Sequence, residues 1–170
     1  ISITSPIFGT FENLMGLCSP THDDLNRAKT QAAAKYQLNR IPSNAEIIAS
    51  MSSNEKLHLL SMLRRKETRT ISGVSVIAVM TKPHFCPQDD PCAYCPGGPS
   101  QAIPQSYTGH EPAAMRGTQN NYDPYLQVRS RISQLTAIGH IVDKIELIVM
   151  GGTFPATPPE YQASFIQRSL

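Results

Sequence analysis

Gly73-Val-Ser-Val-Ile-Ala-Val-Met-Thr81 and Lys144-Ile-Glu-Leu-Ile-Val-Met-Gly-Gly152 decide the fold class. Each holds a short apolar run rich in β-branched residues, Val74–Met80 and Ile145–Met150, closed on the C-terminal side by Thr81 or Gly151. Runs of this length and composition read as buried strands. Between them, Asp123 before Pro124 supplies an N-cap followed by proline at the first helical position. Tyr125, Val128, Ile132, Leu135 and Ile138 then recur at spacings of three and four, until Gly139 offers a C-terminal stop. Pro158-Pro159-Glu160 opens another helical pattern after the second run. Strand, loop, helix, strand, loop, helix is a parallel βαβα unit, which places residues 71–170 in the α/β class.

Residues 1–70 read differently, as a helical N-terminal region. Thr21 caps a helix running to about Lys35, with Asp23 and Asp24 in its first turn. Ser43-Asn-Ala-Glu46 and Ser52-Ser-Asn-Glu55 are capping boxes that open two more helices. Leu57, Leu60 and Leu63 are expected on the inward face of the last one. Ile1 to Pro20 shows no clear period and stays unassigned.

The chain has 170 residues, net charge +2, 40% hydrophobic and 16% charged residues. That suffices for a folded core. No run of eighteen apolar residues is present, which excludes a transmembrane helix, and the first twenty residues, which mix in Ser, Thr, Pro, Glu and Asn, do not read as a secretory signal. Charge is unevenly spread. Residues 1–70 carry nine Lys/Arg and six Asp/Glu, against six and seven in residues 71–170. Part of the basic excess, Arg64-Arg65-Lys66, suits the end of a helix.

Seven prolines fall between Pro83 and Pro112, a density that forbids regular elements, so this stretch reads as a long functional loop. It carries three of the four cysteines, as Cys86-x5-Cys92-x2-Cys95. With nothing to suggest export, clustered thiols point to a metal in the reducing cytoplasm rather than to disulfides. Zinc would need a fourth ligand, for which Cys18, His84 and His110 are the candidates. A [4Fe-4S] cluster held by three thiolates would leave one iron open. The position, directly after a strand of a parallel α/β unit, is where such folds place active sites. His110 is not assigned as a catalytic base, and His140 suits the partial negative charge at a helix end. Tyr94 beside the cysteines is read as a shield against solvent.

Four segments in this order closely resemble the Elongator catalytic subunit family. They are Cys86-Pro-Gln-Asp-Asp-Pro-Cys92-Ala-Tyr-Cys95-Pro-Gly-Gly-Pro99, Gln105-Ser-Tyr-Thr-Gly-His-Glu-Pro112, Tyr122-Asp-Pro-Tyr-Leu-Gln127 and Met150-Gly-Gly-Thr-Phe154. Arg40-Ile-Pro-Ser-Asn44 adds to the match, and the x5 gap resembles bacterial or archaeal members. The resemblance implies the opening βαβα portion of a radical S-adenosylmethionine barrel of partial TIM type, truncated, behind a helical region. It implies a tRNA wobble-uridine carboxymethylating enzyme. A radical derived from S-adenosylmethionine activates acetyl-CoA, and an acetyl-derived group is added at uridine C5. Cys86, Cys92 and Cys95 correspond to the cluster ligands. Gly151, Gly152 and Thr153 correspond to the segment approaching S-adenosylmethionine, and Lys144 to a lysine contacting acetyl-CoA. Implied partners are tRNA, acetyl-CoA and, in a eukaryote, other Elongator subunits. The basic residues Arg27, Lys29, Lys35, Arg40, Arg64, Arg65, Lys66 and Arg69 are expected to contribute to tRNA binding.

Two other classes compete. One is a zinc-stabilised RNA-binding module. The other is a protein (histone) acetyltransferase subunit, which would need a phosphate-cradling loop that these residues lack. Ile1 is not an initiator methionine, so the natural start is expected upstream. The acetyltransferase domain is expected beyond Leu170, which leaves residues 1–170 incomplete as an enzyme and marginal in stability.

Overall fold

In a computed structural model, residues 14, 20–88, 92–152 and 154–170 are described. They divide into two compact units. The first contains residues 1–71 together with Leu135–Ile141, and the second contains residues 72–134 and 142–170.

Among the described residues the first unit contains the helices α1 (His22–Lys35), α2 (Asn44–Ser50) and α3 (Ser53–Leu63). Each starts with a reciprocal capping box, Thr21 with Asp24, Ser43 with Glu46 and Ser52 with Glu55. The caps satisfy backbone N–H groups that a first helical turn leaves without partners. Leu14, Leu25, Ala28, Ile47, Ile48, Met51, Leu59 and Leu63 form the core. The buried face of α3 is therefore Leu59 and Leu63, with Leu60 partly covered, and not the expected Leu57, which is 82% exposed. At 3.6 residues per turn Leu57 lies about 120° from Leu63, outside the stripe that Leu59 and Leu63 define. A short 3-10 turn, Glu67–Thr70, closes this unit, with His140 buried against it. One His140 ring nitrogen lies 2.9 Å from the Thr70 hydroxyl and the other 3.0 Å from the Arg65 carbonyl.

The second unit contains β1 (Ser75–Met80) and β2 (Ile145–Met150), which pair in parallel with Met80 opposite Met150. Helices α4 (Pro112–Gln119) and α5 (Pro124–Ala137) lie between them in sequence, and α6 (Pro159–Ser169) follows β2. The mixed α/β class and the parallel pairing match the sequence reading. Helix α4 was not anticipated, because the proline-rich segment masked its start. Glu111 precedes Pro112 at the first helical position, and Ala113 and Ala114 are buried against Met80. β1 is buried at Ser75, Ile77, Val79 and Met80 but not at Val76, which is 48% exposed, and β2 is less buried than expected, with Ile145 and Ile148 each 40% exposed. Its one described strand neighbour is β1.

Tyr125, expected inside, is 51% exposed, while Gln127 is fully buried. Gln127 turns inward because its amide replaces a neighbouring strand. Its Oε1 accepts from the Met80 N–H and its Nε2 donates to the Met80 carbonyl, both at 2.9 Å. Arg116 donates to the Ala78 carbonyl at 3.1 Å on the same side. Ser75 and Thr81 direct their N–H groups to β2, so the alternate residues Ala78 and Met80 face the other way and are met by side chains. No helix among the described residues is long and apolar enough to cross a membrane.

Candidate metal centre

Parallel pairing brings the C-terminal ends of β1 and β2 side by side, so the chain segments that leave them are neighbours. The Thr81 N–H donates to the Met150 carbonyl at 2.8 Å, and its hydroxyl donates to the Gly151 carbonyl at 3.2 Å. The cysteine loop and the glycine loop thus start from one hydrogen-bonded corner.

Cys86, Cys92 and Cys95 all line a cavity of about 510 Å³, together with Phe85, the Gly97-Gly98 turn and Gln105. None is in a disulfide; Cys86 and Cys95 are half-buried and Cys92 is exposed. A tight turn carries the pair, with the Cys95 N–H donating to the Cys92 carbonyl at 2.8 Å. The Cys95 thiol donates to the Gly97 carbonyl at 3.2 Å and accepts from Gln105 Nε2 at 3.3 Å. Among the described residues no three His, Cys, Asp or Glu side chains converge tightly enough to hold a single metal ion. Three cysteines lining one cavity are a donor set that an iron–sulfur cluster uses, and that zinc uses when a fourth ligand joins. Tyr94 is 87% exposed, so it covers little. Its phenol is pushed up, first by hydrogen bonding to the Cys92 sulfur, then by the charge of that sulfur.

Gly151 and Gly152 have φ of +122° and +50°. A Cβ at Gly151 would stand 2.2 Å from Thr81 Oγ1, and one at Gly152 would stand 2.8 Å from Gln105 Cβ. Packing against the protein's own side chains therefore already requires these glycines. The cleft they border, with His84, Cys86 and Gln105, measures about 10 Å³, room for one water. It adjoins the larger cavity through Phe85, Cys86 and Gln105, which line both. Thr153 and Cys18 lie outside the described residues. His84 packs at a tilt against Tyr161, with ring centroids 5.7 Å apart, and His110 is exposed.

Lys144 is exposed at the N-terminal end of β2, where its carbonyl accepts from the Ser75 N–H at 2.8 Å. At about 3.3 Å per strand residue it stands roughly 20 Å from the glycine loop, so the fold does not gather it with the cysteines.

The basic residues of the first unit divide by their local partners. Arg27 is 3.7 Å from Asp24, Lys29 donates to Asn44 at 2.8 Å, and Lys35 lies over the Tyr36 ring. Arg40 forms a two-pronged pair with Glu46. Arg64 donates to the Gly139 carbonyl at 3.0 Å. Arg65, Lys66 and Arg69 are exposed around the 3-10 turn, which the buried His140 ring holds from beneath. Sequence reasoning missed Thr81, Gln105 and Gln127, whose roles rest on partners 10 to 70 residues away.

Residues 12–71 match the ELP3 N-terminal domain family. The chain is 57% identical over 132 residues to a tRNA uridine(34) acetyltransferase of Methanocaldococcus infernus, covering 76% of this chain and 24% of that protein. It is 51% identical over 154 residues to the protein of that name from Methanocaldococcus jannaschii, covering 86% and 28%. Against Elongator complex protein 3 of Bos taurus it is 50% identical over 151 residues, covering 85% and 28%. The chain therefore spans about a quarter of the length of these curated relatives. The helical region thus matches the ELP3 N-terminal domain family, and over most of its own length the chain is similar, at 50–57% identity, to Elongator complex protein 3 and the tRNA uridine(34) acetyltransferases.

Proposed function

We propose that this chain is the cluster-bearing portion of a tRNA wobble-uridine-modifying enzyme. In this reading Cys86, Cys92 and Cys95 hold a [4Fe-4S] cluster, with S-adenosylmethionine as cofactor and acetyl-CoA as co-substrate, and the product carries a carboxymethyl group at uridine C5. The fold is then the opening of a radical S-adenosylmethionine barrel, in a cytoplasmic protein. The observation that carries this reading is the lining of one cavity by all three cysteines at the C-terminal end of a parallel sheet. It occurs in a chain about half identical to proteins named for tRNA uridine(34).

When bound, a cluster of this type with S-adenosylmethionine supplies a hydrogen-abstracting radical. The chain's own residues do the rest. Three thiolates fix the cluster on a loop anchored by Thr81 to the glycine loop. Gly151 and Gly152 leave the backbone bare where the methionine part of the cofactor would approach, once the narrow cleft beside them widens. Lys144, at the far end of β2, suits the extended tail of a CoA thioester rather than its reacting carbon. Arg65, Lys66 and Arg69 form an exposed basic surface for tRNA phosphates, and the five locally engaged cations share that role through the N–H donors their partners leave unused.

The deciding measurement is iron content and visible absorbance of the anaerobically purified protein, alongside Cys86→Ala, Cys92→Ala and Cys95→Ala. Each variant is expected to lose the iron–sulfur absorbance, because two thiolates do not retain a cubane. Full iron loading in Cys92→Ala, or stoichiometric zinc with no iron–sulfur absorbance in the unmodified protein, overturns the reading. For the RNA surface, charge reversal at Arg65, Lys66 and Arg69 is expected to weaken tRNA binding and flatten its salt dependence. Unchanged binding at low salt removes the turn from the interface.

A further inference from the structure

We propose that Gln105 is a positioning residue of the cluster site, donating to the Cys95 sulfur and thereby raising the reduction potential of the cluster, while it seats the glycine loop against the cysteine loop. The proposal rests on the cluster reading above and adds a residue to it.

Three contacts converge on this one side chain. Gln105 Nε2 lies 3.3 Å from Cys95 Sγ. Its Oε1 stands 3.0 Å from where a Gly98 Cβ would be, and its Cβ stands 2.8 Å from where a Gly152 Cβ would be. Gly98 and Gly152 are thus the two places where the backbone makes room for Gln105. The side chain also lines both the cysteine cavity and the narrow cleft of the glycine loop. It is half-buried, in a loop whose prolines limit its freedom to withdraw.

The amide's chemistry sets its orientation. A ligand thiolate only accepts hydrogen bonds, so the –NH₂ end must face the sulfur, and the oxygen is left toward Gly98. A neutral donor adds no net charge to the site. An N–H···S bond withdraws electron density from the ligand and favours the more negatively charged, reduced cluster, which moves the potential upward. Because the same side chain rests on Gly152, displacement of the glycine loop by a bound ligand would be felt at the Cys95 sulfur.

The experiment uses the full protein, purified anaerobically and loaded with iron and sulfide, with the midpoint potential read by spectroelectrochemical titration. Gln105→Met keeps the length and the apolar contact with Gly152 but has no donor. Gln105→Glu keeps the shape and replaces the donor by a charged acceptor. Gln105→Met is expected to retain full iron and to show a reduction equilibrium about three- to tenfold less favourable, tenfold being ~59 mV for a one-electron couple. Gln105→Glu is expected to shift further in the same direction or to lose iron. Gln105→Glu carries the test alone if Gln105→Met does not fold. Full iron with an unshifted potential in the folded variants overturns the proposal and leaves the cluster reading standing. An unmodified protein that assembles no iron–sulfur cluster overturns the cluster reading itself.

Discussion

Helix starts in the first unit are set locally, whereas the site of the second unit is shaped by long ties. Long ties from Arg64 to Gly139 and from His140 to Thr70 and Arg65 also close the first unit. Helices α1, α2 and α3 of the first begin with side chains that cap the backbone three residues away. In the second, the ties that shape the site span 38 residues from Arg116 to Ala78, 47 from Gln127 to Met80, 70 from Thr81 to Gly151 and 79 from Lys82 to Tyr161. Local caps form with little loop closure, whereas each long tie needs the sheet in place before it contributes. The contrast suits the proposed roles. A surface that meets RNA needs only a stable platform, while a cluster loop must be placed to within fractions of an ångström by elements remote in sequence.

The largest break in this contrast is expected from Gly151→Ala. Its Cβ would enter within 2.2 Å of Thr81 Oγ1 at φ +122°, at the corner that joins the two loops. Clash and backbone strain together cost about 2–4 kcal/mol. Hydrogen exchange of the β1 and β2 amides should accelerate while the α1–α3 amides keep their protection. Equal loss in both units would show that the two do not respond separately.

Gln127→Leu follows closely. It leaves the Met80 N–H and carbonyl without their partners in a fully buried place, worth about 2–3 kcal/mol. Denaturant unfolding should report that loss, and Gln127→Glu should not restore it, since a carboxylate has no donor for the Met80 carbonyl. A loss below about 0.5 kcal/mol would mean that water replaces the amide and that this edge of β1 is open.

In the helical unit the corresponding single change is milder. Ser43→Ala or Ser52→Ala removes one cap and is expected to cost about 1 kcal/mol each. Because α2 and α3 pack in one core, the same amount should appear in the unfolding of the whole first unit.

The smallest effect concerns acid. Glu46 is lowered from 4.5 to about 2, first by its hydrogen bond with Arg40, then by the Ser43 N–H and hydroxyl. A carboxyl whose folded pKa is depressed contributes stability that is complete above its unfolded value and is lost as pH falls through the folded one. The start of α2 should therefore weaken between about pH 4.5 and pH 2. Glu46 is solvent-exposed, so the effect is small, and it is best read from the carboxyl's own NMR titration. A midpoint near 4.5 would show that the Arg40 pair does not persist in solution.

Legibility followed the same division. The caps at Thr21, Ser43 and Ser52, the Asp123-Pro124 start and the stop at Gly139 are signals contained in a few neighbouring residues. Elements bounded by them, and the two apolar strands, were readable. Helix α4 was not, because proline reads as a breaker until Pro112 is seen at a first helical position. Leu57 and Tyr125 fitted a periodic pattern yet face solvent, since period alone does not choose which of two overlapping stripes meets the core. At the site, the cysteine spacing and the glycine pair stood out as chemistry-bearing residues.

By itself the sequence determined the helix starts, the parallel α/β character, the family resemblance and the three thiols, all consequences of short-range spacing or residue type. Only the tertiary structure decided that the thiols share one cavity and that Gln105 reaches Cys95. It also decided that Gln127 lies inside and that Lys144 stands at the opposite end of its strand from the glycine loop. The physical reason is that a polar side chain acquires its role from the partner it meets. Those partners are brought within hydrogen-bond distance only when parallel pairing sets the two strand ends side by side.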